Sequence, residues 1–140
     1  MALGDYTAGS TVVTVNGRQI TDWGHSAVPF SHEPIDPSRE LVRGQGGTAI
    51  ATGRYNPGRR VMLNLMPGSP DAKYMQSLFR AGILNIVLNY SIVGSNEWGT
   101  GMEGVITIDG TVGRAGQNTN VSDDQFTLEF NKWDGDKGGN

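Results

Sequence analysis

Only one stretch of this chain carries the pattern of an α-helix, and it runs from Ser69 to Gly82. Ser69 can cap the helix, Pro70 suits the first helical position, and Asp71 lies where the helix dipole favours an anion. Arg80 lies in the last turn, and Gly82 can adopt the left-handed conformation that ends a helix. The apolar face at helical spacing consists of Met75, Leu78, Phe79 and Gly82. A single one-sided helix needs a surface to cover, and the rest of the chain must supply it.

The residues on both sides of this helix have the pattern of short strands and turns. Asn16 and Gly17 separate two strand-forming runs, and this pair strongly indicates a β-hairpin over 11–23 because both residues tolerate positive φ. Apolar and polar residues alternate in the runs farther along the chain. The sequence therefore predicts a mainly β, antiparallel sandwich or barrel of about seven strands with one flanking helix. Strands are predicted at 11–15, 18–23, 48–54, 59–66, 84–92, 104–109 and 126–133.

Residues 24–47 are predicted to form a long irregular segment, because Pro29, Pro34 and Pro37 interrupt central strands. The segment also carries apolar side chains that a solvated loop does not need. It either folds over the end of its own sheet or buries these side chains on a neighbouring copy. The shorter irregular segments are an N-terminal arm at 1–10, a glycine-rich turn at 94–101, a polar loop at 110–124 and a C-terminal tail at 134–140.

Length, charge and cysteine content exclude several classes of protein. A chain of 140 residues is expected to form one domain. Lys and Arg number 11 against 14 Asp and Glu, and the net charge of −3 argues against nucleic-acid binding through bulk charge. Without cysteine, neither a disulfide framework nor a thiolate metal site can form. No apolar run approaches the ~20 residues of a membrane helix, and no signal-peptide pattern is present, so no membrane partner is expected.

Three patterns that can carry chemistry are weak in this chain. Residues 99–104 match G-x-G-x-x-G, but a predicted strand follows at 105–108 where a dinucleotide site needs a helix. Residues 134–136 begin like a calcium loop and lack its further ligands. His25 and His32 are the only histidines, too few for a usual zinc site, and no nucleophile elbow accompanies them. We therefore predict that the protein has no catalytic, cofactor or metal site and that it is not an enzyme.

Two groups of side chains leave alternatives open. Arg54, Arg59 and Arg60 flank one predicted turn that includes Tyr55, and such a set forms either a platform for single-stranded nucleic acid or ion pairs with Asp or Glu, including those of another subunit. The tryptophans suit either a carbohydrate-stacking surface or interface anchors. A small β-sandwich module that binds carbohydrate or protein is therefore one possible reading. The tryptophans are Trp23, Trp98 and Trp133.

The chain from about Gly53 to Trp133 resembles the tail tube proteins of contractile-tailed bacteriophages, whose fold is similar to that of the type VI secretion tube protein. The resemblance rests on the order of strands and helix and on the length, together with the hairpin at Asn16 and Gly17. The matching segments are 60–65, 69–78, 85–90, 103–108 and 126–130.

This resemblance implies a β-sandwich or barrel with one helix on its flank, assembled into six-membered rings. The rings would stack into a hollow tube inside a sheath, with sheets of adjacent subunits joined around a channel for DNA. Its implied partners are copies of itself, the tail sheath protein, the tape measure protein and DNA without sequence-specific binding. The implied location is the tail of a virion, assembled in the cytoplasm of the bacterial host. A baseplate or tail-completion protein of the same fold is the alternative.

The resemblance also suggests which residues meet other subunits and which face the channel. Terminal arms and the segment 24–47 would bridge rings, and a polar, mostly acidic channel wall would let DNA slide. The expected interface residues are Phe30, His32, Ile35, Arg39, Leu41 and Arg43. The expected channel-facing residues are Glu103, Asp109 and Glu129.

Overall fold

The computed structural model describes residues 10–53, 56–110 and 122–138. In this part of the chain, one α-helix accompanies strands that all pair in antiparallel fashion, so the predicted mainly β fold with one flanking helix is confirmed. The predicted N-terminal arm, except Ser10, and most of the loop at 110–124 lie outside the described residues. The elements are β1 (Thr11–Val15), β2 (Arg18–Ile20), β3 (Phe30–Pro34), β4 (Arg39–Arg43), β5 (Ala49–Gly53), β6 (Arg59–Leu65), α1 (Pro70–Arg80), β7 (Ile86–Ile92), β8 (Glu97–Gly110) and β9 (Asp124–Asp136).

Seven strands form the main sheet in the order β2-β1-β7-β8-β9-β6-β3, and β4 pairs with β5 in a separate sheet. The main sheet curls over a single core, because the rings of Phe30 in β3 and Tyr90 in β7 lie 5.0 Å apart although three strands separate them in the sheet. The sheet does not close into a barrel within the described ranges. One isolated bridge connects Trp23, which follows β2, with Leu65 at the end of β6, the strand next to the edge strand β3.

The predicted hairpin and the predicted helix are both confirmed. Asn16 and Gly17 adopt positive φ values of 49° and 85° between β1 and β2, as a two-residue turn of this kind requires. Ser69 caps α1 by accepting a hydrogen bond from the backbone N–H of Ala72 at 3.2 Å. The predicted apolar face is wrong at Phe79, which is 41% exposed. The stripe that faces the core runs through Ala72, Met75 and Leu78 at intervals of three residues, and Phe79 lies outside it.

A buried carboxylate fixes the start of α1 against the end of β2. Asp71 accepts hydrogen bonds from the backbone N–H groups of Thr21 at 2.7 Å and Asp22 at 2.9 Å, and from Arg18 Nε at 2.9 Å. Burial alone would raise the pKa of Asp71, but these donors outweigh it and hold the pKa below its usual value. The helix therefore has a defined position on the sheet.

The segment 24–47 is not irregular throughout, since it contains β3 and β4. Pro34 is the last residue of β3, which lies at the edge of the main sheet, where a strand tolerates a residue without an N–H donor. The predicted strands at 48–54 and 59–66 exist as β5 and β6, but they belong to different sheets.

Part of the predicted turn at 94–101 and part of the predicted tail at 134–140 form strands instead, so these two predictions are wrong there. β8 begins at Glu97, and β9 continues to Asp136, so that Gly99 pairs with Gly135. Glycine has a weak preference for strands, but the long ladder between β8 and β9 overrides that local preference. Leu84, predicted to begin the next strand, precedes β7 and is 67% exposed.

Candidate assembly interface

The hairpin of β4 and β5, residues 39–53, stands apart from the main sheet. Its strands pair only with each other among the described residues, and all ten strand residues are exposed. Leu41 is 67% exposed, Val42 50% and Ile50 61%. A two-stranded hairpin alone in water is marginally stable, and exposed apolar groups of this kind mark interaction sites. The hairpin is therefore the first candidate for contact with another molecule.

The register of the hairpin separates its side chains onto two unlike faces, because residues directly opposite in an antiparallel pair share a face. One face is basic: β4 contributes a leucine between two arginines, and β5 contributes small residues opposite them. The other face is acidic, with two aliphatic side chains. The arginine face consists of Arg39, Leu41, Arg43, Ala49, Ala51 and Gly53. The glutamate face consists of Glu40, Val42, Ile50 and Thr52.

The base of the hairpin is tied to the main sheet. Beyond the ends of β3 and β6, the backbone N–H of Ile35 donates to the carbonyl of Gly58 at 3.5 Å, and that of Asp36 donates to the carbonyl of Pro57 at 3.4 Å. Gly58 in turn donates to the side-chain oxygen of Asn56 at 3.2 Å. The hairpin therefore leaves the body from an anchored stem at one end of the curled sheet.

An aromatic pocket opens at the same end of the curled sheet, next to the stem. It encloses about 440 Å³ and combines aromatic walls with charged groups. The rings of Tyr90 and Trp133 stack with their centroids 6.0 Å apart, and the His32 ring lies 5.1 Å from that of Trp133. The residues that define the aromatic pocket here are His32, Arg59, Tyr90, Glu97, Trp98 and Trp133.

A directed chain of hydrogen bonds runs through this pocket. Arg59 Nε donates to His32 Nδ1 at 2.9 Å, and since arginine only donates, His32 carries its hydrogen on Nε2. His32 Nε2 then donates to the Tyr90 hydroxyl at 2.9 Å, and that hydroxyl donates to Glu97 Oε1 at 3.3 Å. The chain connects β3, β6, β7 and β8 beside the hairpin stem.

The protonation state of His32 follows from this environment. Burial lowers the pKa of His32 to about 4, helped by the positive charges of Arg59 and Lys137. His32 is therefore neutral at neutral pH, as its acceptor role towards Arg59 requires. The hydrogen bonds from Arg59 through His32 to Tyr90 therefore form a fixed connection between strands beside the stem.

The G-x-G-x-x-G pattern at 99–104 lies within β8 and makes room for rings. A Cβ atom at Gly99 would overlap the Tyr90 ring and approach Trp133, and one at Gly104 would overlap Phe130. The glycines thus allow aromatic side chains to lie directly on the backbone of β8, and the strand continues to Gly110 where a phosphate site would need the start of a helix.

The residues expected at a subunit interface lie in three different places in the fold. Phe30 and His32 contact the ring of Tyr90 within the body, at centroid distances of 5.0 and 5.2 Å. Ile35 lies at the stem. The remaining three share the exposed arginine face: Arg39, Leu41 and Arg43.

The arginines and tryptophans predicted as groups are separated by the fold. Arg59 lies in the aromatic pocket, whereas Arg60 forms ion pairs on the sheet, and the other members of that group, Arg54 and Tyr55, lie outside the described residues. Trp98 and Trp133 share the pocket, while Trp23 packs near Phe30.

Sequence reasoning missed part of both sites. Val42 lies in the segment 24–47, which the sequence predicts to be irregular, and Ile50 lies in the predicted strand 48–54, so no local pattern indicates that the two share an exposed face. Tyr90 and Glu97 carried no signal beyond strand alternation and charge. Their roles depend on pairing between strands that are distant in sequence, which no local pattern reveals.

Two of the three acidic residues expected to face a channel form ion pairs with basic side chains. Glu129 pairs with Arg60 at 3.0 Å, and the same guanidinium reaches Glu33 at 3.2 Å. Glu103 lies 3.5 Å from Lys132. Asp109 lies near the other end of β8 and is half-buried. Two of the three residues, Glu103 and Glu129, therefore have their negative charge balanced by a nearby cation.

The described ranges contain no candidate metal centre and no candidate membrane-spanning helix. No three histidine, aspartate or glutamate side chains in that part of the chain are grouped so that they could hold a metal ion. No described helix combines the length and apolar character needed to cross a bilayer.

No family model matches this sequence, and no curated protein matches it. Solved structures from contractile injection systems nevertheless share its fold. The tube-terminating cap of the anti-feeding prophage is 10% identical, with a TM-score of 0.64 over 99% of this chain and 95% of that chain. The sheath/tube terminator of the extracellular contractile injection system PVC is 11% identical, with a TM-score of 0.64 over 97% of this chain and 99% of that chain.

A chain of the PVC sheath-tube complex in the extended state is also similar, at 11% identity and a TM-score of 0.62 over 94% of this chain and 90% of that chain. At such low identities the likeness establishes the fold alone. This chain therefore has a tube-related fold, shared with terminator and sheath-tube components of contractile injection systems.

Proposed function

We propose that this chain is a non-enzymatic structural subunit that assembles with copies of itself into the tube of a contractile tail. The observation that carries the proposal is the exposed hairpin of β4 and β5, which has no covering partner within the described chain. The shared fold with tube-related proteins supports the same conclusion. The whole chain acts as one tube-type domain.

Assembly would pair the strand edges that the isolated subunit leaves open. The main sheet ends in β2 and β3, and unpaired strand edges are a liability that pairing with another copy removes. A head-to-tail contact that closes by rotation gives a ring, and one that does not close gives an open-ended stack. We propose six-membered rings that stack around a channel for DNA, with the tape measure protein inside and the sheath protein outside. The assembly belongs to the tail of a virion and forms in the host cytoplasm.

A terminator or tail-completion protein of the same fold is the second candidate. The observation that favours it is the shared fold with a tube-terminating cap and a sheath/tube terminator. Such a protein forms a ring and then stops, because its outer face does not receive another ring.

Concentration-dependent assembly tests both candidates. Purified protein is followed by sedimentation velocity and negative-stain electron microscopy over a wide range of concentrations. Tubes whose length grows with concentration support the tube subunit, and discrete rings that never stack support the terminator. A monomer at every concentration contradicts both. A variant in which residues 39–53 are replaced by a short glycine linker is the matched control, and it should remain monomeric with an unchanged core.

A further inference from the structure

Two depressions of the surface meet at the side chain of Trp98. One is the aromatic pocket, and the other is a more open depression of about 490 Å³ beside the turn between β7 and β8. Both are lined by Glu97, Trp98 and Asp136, so together they form one continuous groove, called the Trp98 groove here. Each part falls within the range of about 300–1,000 Å³ that is usual for small-molecule sites.

Trp98 is the exposed aromatic side chain of this groove. It is 41% exposed, whereas Tyr90 is 5% exposed and Trp133 packs against the core. Trp98 forms no ring contact with another described residue. It lies directly opposite Asp136 in the ladder between β8 and β9, so the indole and this carboxylate share a face of the sheet. The groove thus has a flat apolar surface with an acceptor beside it.

Part of the hydrogen-bonding capacity around the groove is unused. Glu97 accepts from the Tyr90 hydroxyl through Oε1, while its Oε2 has no hydrogen-bond partner among the described residues. Arg59 donates through Nε to His32, and its two terminal nitrogens have no such partner in that part of the chain. The bond to His32 also fixes the direction of the guanidinium. A ligand in the groove therefore meets positioned donors and a positioned acceptor.

The charges of the groove indicate which class of ligand fits. Its described lining contains two cations, Arg59 and Lys137, and two anions, Glu97 and Asp136. These charges balance, so the groove provides no net field that would attract an ion. The cores of protein–protein interfaces are depleted in Lys, Glu and Asp, so a segment of another protein fits poorly. A neutral ligand rich in hydroxyl groups fits well, because each hydroxyl both donates and accepts.

We propose that the Trp98 groove binds a neutral oligosaccharide, with one pyranose ring on the indole of Trp98 and the next in the aromatic pocket. A pyranose combines an apolar face of C–H groups, which can cover an indole, with hydroxyl groups around its edge. Those hydroxyls bond the free atoms of Glu97 and Arg59. This binding activity goes beyond the proposed function and requires no assembly.

The test uses dispersed protein and neutral trisaccharides of glucose, of mannose and of N-acetylglucosamine. Binding is followed by saturation-transfer difference NMR of the sugar and by ¹H–¹⁵N spectra of the indole N–H groups. The signal of Trp98 is expected to shift saturably, whereas that of Trp23, which lies outside the groove, should stay in place. Sorbitol carries similar hydroxyl groups without a rigid ring face, so it should cause no saturable shift.

Two variants and a matched control locate the site. Trp98→Ala should weaken binding at least about tenfold, because the stacking surface is lost. Phe79→Ala removes a side chain that is also 41% exposed, from α1, and should bind as wild type does. Glu97→Gln keeps the shape and can still accept from Tyr90, yet loses the charged acceptor, so binding should weaken about tenfold. Urea unfolding shows whether each variant keeps the stability of the fold.

The inference is wrong if none of the trisaccharides shifts the Trp98 signal saturably. It is also wrong if Trp98→Ala binds as tightly as wild type, or if sorbitol binds as well as the sugars do. Because every measurement is made on dispersed protein, these results leave the proposed function in place. Failure of the protein to assemble would contradict that function and leave the sugar site standing.

Discussion

Because the fold keeps His32 neutral, the stability of this protein is expected to decrease as pH falls from about 6.5 to about 4. In the unfolded chain His32 takes up a proton near pH 6.5, whereas in the folded chain its pKa is lowered to about 4. Between these pH values the unfolded state binds more protons than the folded state. The free energy of unfolding therefore decreases as the pH is lowered. The full contribution is present above pH 6.5 and is lost below about pH 4.

The magnitude follows from the same two values. A difference between 6.5 and about 4 corresponds to ~3 kcal/mol before screening, at 1.36 kcal/mol for each pH unit. His32 is only half-buried, and solvent screening reduces the expected loss to ~2 kcal/mol. Protonation would also break the bond in which Nδ1 accepts from Arg59. The charged or titratable groups that line the pocket around His32 are Arg59, Tyr90, Glu97, Asp136 and Lys137.

The assay is urea unfolding of dilute protein at several pH values, followed by tryptophan fluorescence, for wild type and His32→Gln. Glutamine does not titrate, yet it can accept from Arg59 and donate to Tyr90. The stability advantage of wild type over the variant should therefore shrink by ~2 kcal/mol on going from neutral to acidic pH. Parallel pH profiles for the two proteins, or an NMR titration midpoint for His32 at or above its ordinary value, would refute the reasoning.

Three further substitutions test the packing. Asp71→Asn should lower the free energy of urea unfolding by ~2–3 kcal/mol, since buried N–H groups lose a charged acceptor; a loss below measurement error contradicts this. Phe126→Ala removes a fully buried ring and should cost ~3–5 kcal/mol in the same assay, with an unchanged denaturant slope; a near-neutral result would mean that the core is not packed as described. Gly99→Ala should displace Tyr90 and Trp133, cost ~1–3 kcal/mol and alter the near-ultraviolet circular dichroism; an unaltered spectrum would speak against the close approach of the rings.

The sequence alone determined those elements whose signals are local. The helix is set by the cap at Ser69, the proline after it and the apolar spacing within one stretch of chain. The first hairpin is set by Asn16 and Gly17, and β6 by its strict alternation. Each signal concerns neighbours within a few residues, where backbone sterics and side-chain periodicity decide the outcome.

Tertiary structure decided everything that depends on distant partners. β8 and β9 extend through glycine-rich stretches because each supplies the other's hydrogen bonds, and β4 and β5 form a separate hairpin because β6 pairs instead with β3 and β9. His32 meets Tyr90 across 58 positions of sequence. Such contacts gain their free energy only when the curled sheet brings remote strands together, so no local pattern encodes them.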